Sequence, residues 1–366
     1  MKKQVYRFKP ITVEALWGYE KWLLSAIKGK ESVLASSDNS NPILLTDLLH
    51  SMKDRLVGKR IWNKYKGEFP LLIKQIHTED QLSVQVHPTE AIAERINSLN
   101  LSSKEVYKDI RPVGTVAKGK SEMWFVLNSN NLQSGKKATL LYGFNRKFEV
   151  DANGHSLEFE KILNQTKNDS ENRTALIETL TEFHPKKGDY FYIPAGGVHS
   201  LGADLDIIEI QQSSETTYRL YDFNRRDKNG KLRELHLDKA LMSIDFSIVT
   251  SSGEVKNIEK SSCAYLPMVE CEHFTTTFID LSKICLKKAG LDNFFHLNLE
   301  RLDCFSIITV IEGSGQLSYN KTVEQLNTGD LILIPAEIES VDIYNQNSLK
   351  FIETHLPIFT ESYRKV

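Results

Sequence analysis

Cysteine is scarce in this chain, with four in 366 residues: Cys263, Cys271, Cys285 and Cys304. All lie in the last third and none is in C-x-x-C spacing, which argues against a thiolate zinc site and against a disulfide framework. No apolar run approaches the roughly 18 residues that a membrane span needs. The stretch Met1–Pro10 has basic residues but no apolar segment behind them, so no secretory leader is expected. A cationic surplus is also missing. Lys plus Arg number 46 against 48 Asp plus Glu, a formal charge of −2. Binding to nucleic acid or to a membrane surface is therefore not expected. The expectation is a cytoplasmic protein with reduced thiols and a small pocket, where two or three cations suffice to hold one anion.

With 40% hydrophobic and 26% charged residues, the chain has the composition of an ordinary folded protein, and its length suits two domains. The first two-thirds mix strands and helices. Thr46 caps an expected helix with Leu48, Leu49, Met52 and Leu56 on its apolar stripe, closed by Gly58. Thr89 caps another carrying Ile92, Ile96 and Leu99. Strands are expected at Met123–Leu127 and Ala138–Tyr142, joined by a polar loop over 128–137. A charged insertion at about 146–184 has helical patterns at Leu157–Gln165 and Ala175–Leu180. Polar residues from Thr250 to Ser262 mark a linker. Beyond it, β-rich runs such as Phe274–Ile279, Phe305–Ile311 and Leu331–Ile334 alternate with turn residues. The domains expected are therefore 1–250 and a small β domain over 251–366.

One internal repeat is informative. Gly188-Asp189-Tyr190-Phe191-Tyr192-Ile193-Pro194-Ala195 returns as Gly329-Asp330-Leu331-Ile332-Leu333-Ile334-Pro335-Ala336. In each, a Gly-Asp turn opens a strand that proline ends by lacking a ladder N–H. The first copy continues to His199 and the second has no histidine. Two β-barrels of common ancestry, only one with a metal ligand, account for this.

Chemistry concentrates in four places. Strand alternation puts Ser83, Gln85 and His87 on one face and Leu82, Val84 and Val86 on the other. Lys120 and Glu122 share a side of the next strand, and His199 follows a tight Pro-x-Gly turn. Glu209 and Gln211 share a face of an isoleucine-rich strand, where a carboxylate needs a partner. Each signal alone fits an ordinary surface or edge residue. Together, two His, one Glu and one Gln form a plausible four-ligand set. Such a set leaves a divalent ion with net charge of about +1, suited to polarising a carbonyl rather than to a structural role. Lys120 and Arg219 are the cations nearby in motif-like contexts, and Arg suits bidentate contact with phosphate or an oxyanion.

Six strings carry a resemblance: Leu16-Trp17-Gly18-Tyr19-Glu20-Lys21-Trp22, Phe69-Pro70-Leu71-Leu72-Ile73-Lys74, Leu82-Ser83-Val84-Gln85-Val86-His87-Pro88, Gly119-Lys120-Ser121-Glu122-Met123-Trp124, Pro194-Ala195-Gly196-Gly197-Val198-His199, and Gln211-Gln212-Ser213-Ser214-Glu215-Thr216-Thr217-Tyr218-Arg219-Leu220-Tyr221-Asp222. In this order, from about Pro10 to Phe246, the chain resembles the type I mannose-6-phosphate isomerases. The resemblance implies a mainly β protein with helical insertions: a cupin-type β-barrel (jelly roll) plus a second, metal-free cupin-like β domain. It implies a zinc-dependent aldose–ketose isomerase, one divalent ion per chain, that interconverts mannose 6-phosphate and fructose 6-phosphate through a cis-enediolate. The implied metal ligands are Gln85, His87, Glu122 and His199. Arg219 and Lys120 match active-site residues of the family, and Trp17 falls in a string expected to face substrate. Glu209 is the first choice of base, because burial among isoleucines raises its pKa, and a metal-bound water is the alternative. Ser121 and Met123 stand where the short bacterial form usually has Thr and a Cys-like residue. The expected partner is a small sugar phosphate, and the expected assembly is a monomer or homodimer. A non-haem iron cupin oxygenase and a non-catalytic sugar-binding cupin are the alternatives; turnover under argon separates the first from an isomerase.

Overall fold

The computed structural model describes residues 3–36, 40–102, 116–129, 137–168, 173–227, 229–283, 294–300 and 302–358. Contacts divide the chain into two compact units. One comprises Thr12–Lys21 and Lys74–Lys256. The other comprises Met1–Ile11, Trp22–Ile73 and Asn257–Val366. The boundary expected near residue 250 has a counterpart at Asn257. The second unit also takes Met1–Ile11 and Trp22–Ile73, stretches that the sequence analysis assigned to the first domain.

In the first unit, strands Asp189–Ile193, Glu122–Ser129 and Leu205–Gln212 are consecutive antiparallel neighbours in one sheet. A five-stranded sheet runs in the order Tyr218–Tyr221, Val84–Val86, His199–Leu201, Leu140–Phe144 and Leu180–Phe183. Trp124, Val126, Phe191 and Ile207 from the first sheet pack with Leu140, Phe183 and Leu201 from the second. Two antiparallel sheets closed over a shared apolar interior are a jelly-roll barrel. The protein is thus mainly β, as expected.

The outer face of the smaller sheet is dry for a different reason. Val84, Val86, Leu141, Tyr218 and Leu220 point into a second core, supplied from outside by Ile96, Phe159, Leu163, Leu176 and Ala240. These come from helices Glu90–Ser102, Leu157–Asn168, Arg173–Ile177 and Leu237–Ser243. Because side chains alternate along a strand, placing Val84 and Val86 under helices turns Gln85 inward. Leu82 departs from the expected grouping. The strand spans only Val84–Val86, and Leu82 lies in the barrel interior with Leu201, its N–H donating to the Leu201 carbonyl at 2.7 Å.

Several local expectations hold and others shift. Thr89 Oγ1 accepts from the Ile92 N–H at 3.2 Å and starts its helix as expected. The expected Thr46 helix is broken: Leu45–Met52 and Asp54–Val57 are separated by Lys53 at φ 53°. The second helix of the insertion ends at Ile177, and Leu180–Phe183 is a strand. Thr179 is the cause, since its hydroxyl donates to the Leu176 carbonyl at 2.6 Å and stops the helix before the alternating Leu-Thr-Glu-Phe begins. The Glu122 strand runs on to Ser129; of the loop expected at 128–137, residues 130–136 lie outside the described residues.

The second unit is built on a nine-stranded sheet whose path includes Thr275–Asp280, Ser340–His355, Ser306–Tyr319, Leu331–Ile334 and the N-terminal strand Tyr6–Lys9. Phe274–Ile279 and Phe305–Ile311 are thus strands as expected, although the second is part of one of fourteen residues. Val310, Leu317, Leu326, Ile332, Ile343 and Phe351 line its core.

The repeat is structural as well as textual. Asp189 Oδ2 accepts from the Lys186 N–H at 2.7 Å, and Asp330 Oδ2 accepts from the Asn327 N–H at 2.8 Å. The strands that follow also keep the same register: Ile193 pairs with Glu122, and Ile334 with Ser306. Ser306 therefore occupies in the second unit the position that Glu122 holds in the first. Counting onward from each Gly-Asp turn, Ser340 falls at the place of His199. The turn after the proline is used differently too. Gly196 N–H donates to the His87 carbonyl at 2.8 Å, whereas Glu337 N–H and Ala336 N–H donate to the carbonyls of Arg55 and Leu56 at 3.0 and 2.9 Å. In the second unit, a helical segment sits where the first has its histidine strand.

Candidate metal and substrate site

The site lies wholly in the first unit and is assembled by strand register. Across the five-stranded sheet, Arg219 pairs with Gln85, and Gln85 pairs with His199. Direct cross-strand partners share a face, so all three project together into the barrel. From the opposite sheet, Glu122 pairs with Gln211, and Trp124 pairs with Glu209. Trp124 meets the His199 ring edge-on at 5.4 Å between centroids. His87 lies just beyond its strand, fixed by the Gly196 N–H. Gly196 has φ +94°, and a Cβ there would lie 2.8 Å from the Asp245 Cβ, so the tight Pro-x-Gly turn needs glycine.

His87, Glu122 and His199 are buried, and their ligand atoms lie within 4.8 Å of one another. Each imidazole is oriented by its far nitrogen. His87 Nδ1 donates to the Thr216 carbonyl at 2.8 Å and His199 Nδ1 to the Gly197 carbonyl at 2.9 Å. Both Nε2 atoms therefore present lone pairs inward, the arrangement that second-shell carbonyls give to metal-binding histidines. Burial, with Lys120 next, lowers the His87 pKa to about 3, and burial lowers that of His199. Both rings are neutral, as ligands must be. Burial alone would raise the Glu122 carboxyl, but Lys120 and His87 outweigh it and hold the group well below the usual carboxylate range. Glu122 Oε1 is buried with no hydrogen-bond partner among the described residues, and His199 Nε2 is 3.4 Å away. Two lone pairs facing each other at that distance, away from water, call for a cation between them. Gln85 reaches the same point. Its Nε2 lies 3.2 Å from His199 Nε2 and its Oε1 accepts from Ser83 at 3.0 Å, so oxygen ligation requires the amide to turn over.

Beside this group is a cleft of about 420 Å³ lined by Trp17, Glu20, Lys74, Lys120, Glu209, Arg219 and Arg233, among others, a size usual for small-molecule sites. Lys120 Nζ is 2.5 Å from Glu122 Oε2, 3.2 Å from His87 Nε2 and 3.5 Å from Glu209 Oε1. Glu209 Oε1 also accepts from Trp124 Nε1 at 3.3 Å, and its Oε2 is 3.2 Å from Lys74 Nζ. Burial raises the Glu209 pKa, with Lys120 and Lys74 opposing the rise. Burial works against the Lys74 charge too, but Glu209 and Glu20 overcome it and hold its ammonium above the ordinary lysine value. The sequence analysis gave Lys74 no role. Its signal was a lone lysine in the apolar run Leu71-Leu72-Ile73-Lys74, the mirror of Glu209 among isoleucines. Ser121 Oγ accepts from the Ala195 N–H at 3.1 Å, a bond that a threonine hydroxyl would also make.

Residues 19–126 match the model of the phosphomannose isomerase type I catalytic domain. The matched segment carries Gln85, His87, Lys120 and Glu122 of the site. Similarity to named family members runs well beyond the matched segment. The chain is 27% identical over 347 residues to mannose-6-phosphate isomerase ManA of Bacillus subtilis, covering 90% of this chain and 92% of that protein. It is 28% identical over 336 residues to the mannose-6-phosphate isomerase of Streptococcus mutans, covering 92% and 88%. Among solved structures, the mannose 6-phosphate isomerase from Bacillus subtilis shares the fold with a TM-score of 0.68 at 22% identity, over 97% of this chain and 100% of that one. A variant phosphomannose isomerase from Salmonella typhimurium does so with a TM-score of 0.74 at 13% identity, over the same shares. At 97% coverage, the match to these structures includes residues of both units.

Proposed function

We propose that the protein is a metal-dependent aldose–ketose isomerase that interconverts mannose 6-phosphate and fructose 6-phosphate. The observation that carries this reading is the convergence of two neutral imidazoles and an unpartnered carboxylate oxygen beside a cleft whose wall holds a buried, pKa-raised carboxylate. His87, Glu122 and His199, with Gln85 as oxygen donor, would hold one divalent ion, and their nitrogen and oxygen donors suit zinc. Such an ion supplies Lewis-acid polarisation of the C1 and C2 oxygens.

The rest falls to the chain. Arg219, on the same face as Gln85, donates to the oxygens on which charge develops. Glu209 takes the proton from C2 of the open-chain aldose and returns it to C1 of the enediolate. The hydroxyl proton passes from O2 to O1, giving the ketose. Glu209 suits the part because burial lifts its pKa while two ammonium groups keep its charged form accessible. Lys74 and Trp124 fix its two oxygens. Lys120 orients substrate hydroxyls, and Trp17 closes the wall against water. Cys263, Cys271 and Cys304 are free thiols, and no helix among the described residues is long and apolar enough to cross a membrane; we place the enzyme in the cytoplasm. Glu209→Gln tests the base. Turnover of mannose 6-phosphate should fall at least about 100-fold with bound metal retained, and unchanged turnover would remove Glu209 from the role.

A further inference from the structure

We infer that Arg233 is the residue that reads the phosphate of the substrate. This inference rests on the isomerase reading and adds to it the determinant that separates phosphorylated from free sugars.

The two ends of the cleft differ in what they can spare. At the inner end, Lys120 is committed to Glu122, His87 and Glu209 at 2.5 to 3.5 Å, and Lys74 is committed to Glu209 and Glu20 at 3.2 and 3.5 Å. Those ammonium groups are taken up by carboxylates on the floor, and the ligand set would commit the metal's charge to the reacting oxygens. A phosphate at the far end of an open-chain hexose also lies away from the carbons that react beside the metal ligands. It needs cations elsewhere on the wall.

Arg233 supplies one. It lines the cleft together with Arg219, and the local backbone fixes the two side by side. The Arg219 N–H donates to His236 Nδ1 at 3.1 Å, the His236 N–H donates to the Arg219 carbonyl at 2.9 Å, and Arg219 Nη1 donates to the Glu234 carbonyl at 3.2 Å. Arg233 is held on its other side by Asp222. That buried carboxylate accepts from Arg233 Nη1 at 3.1 Å and from Arg225 Nη2 at 2.5 Å through the same oxygen. Asp222 is thus shared between two guanidinium groups, Arg225 also has Asp80 at 3.8 Å, and Arg233 meets the cleft with only a share of one carboxylate. The Arg233 side chain keeps 27% of its surface open. A guanidinium anchored by one nitrogen retains donors for a bidentate grip on phosphate oxygens. Glu215 and Thr217 also border the cleft; Glu215 would repel a dianion, whereas the Arg233 guanidinium would attract one.

The test is Arg233→Gln and Arg233→Lys in the metal-loaded enzyme. With Arg233→Gln, the KM for mannose 6-phosphate should rise at least tenfold while kcat stays within about threefold. Competitive inhibition by inorganic phosphate should weaken by a similar factor, with bound metal unchanged. Arg233→Lys, which keeps the charge without the fork, should fall between the two, and it decides the matter if the glutamine variant does not fold. An unaltered KM and phosphate inhibition constant in either folded variant would overturn the inference. Failure of the unsubstituted enzyme to turn over mannose 6-phosphate would instead overturn the isomerase reading, whereas phosphate inhibition lost in Arg233→Gln alone would still support Arg233 as an anion reader.

Discussion

Replacing Lys74 by methionine tests the electrostatics of the cleft floor. The substitution keeps most of the side-chain volume and removes an ammonium group that is 7% exposed and lies 3.2 Å from Glu209 and 3.5 Å from Glu20. Breaking a buried pair from one side costs about 3–5 kcal/mol when the partner stays charged. Glu209 has an escape, because it can take up a proton. In the variant it keeps Lys120 at 3.5 Å, and its already raised pKa should climb further. A carboxyl whose folded pKa lies above its unfolded value destabilises the fold as pH rises from the unfolded value to the folded one. The slope is about 1.4 kcal/mol per pH unit for a group protonated only when folded. The metal-free variant should therefore lose more stability than the unsubstituted protein on going from about pH 5 to about pH 7.5, by no more than that slope allows. Urea unfolding of chelator-treated protein at the two pH values reads this directly. A deficit that is the same at both would show that Glu209 does not respond to Lys74.

Three further outcomes follow from other contacts. His199→Asn removes an oriented lone pair from the buried group, so metal content by elemental analysis should fall below stoichiometric while the near-ultraviolet spectrum stays folded. Gly58 has φ +90°, and a Cβ there would stand 2.0 Å from the Asp303 carbonyl oxygen; Gly58→Ala should cost about 3 kcal/mol or more in denaturant unfolding. Burial opposes the charge on His355, but Glu353, 3.0 Å from its Nδ1, outweighs burial, with Arg60 opposing and Glu270 assisting, so its pKa is raised. That pair stabilises fully below the ordinary histidine value of about 6.5 and is lost as pH rises through the higher folded value. His355→Gln should therefore flatten the fall of the thermal midpoint from about pH 6 upward, and an unchanged slope would exclude the pair as its source.

Much of this molecule could be read from residue order because its signals were periodic or repeated. Alternation around Gln85 requires that one face be covered, and the helices carrying Phe159 and Ala240 provide the cover. The Gly-Asp turn found twice in the sequence is found twice as the same hydrogen bond. Where reading failed, a local pattern was overruled by a partner far along the chain. Leu180 continued a helical pattern until Thr179 ended it, and pairing with the Leu140–Phe144 strand took over. Leu82 was assigned by a parity that holds only inside a strand. Lys74 and Arg233 were missed for a different reason: Lys74 stood out only as a lone cation in an apolar run and Arg233 not at all, and the role of each depends on which carboxylates the folded chain brings beside it.

The N-terminal strand Tyr6–Lys9 pairs directly with Leu331–Ile334. A ribosome making this protein releases Leu331–Ile334 only after the long stretch of chain that follows Tyr6–Lys9. Val33–Leu34 can pair with the N-terminal strand early, but that strand joins the rest of the nine-stranded sheet only when its distant partner emerges, a contact of high sequence separation that forms late.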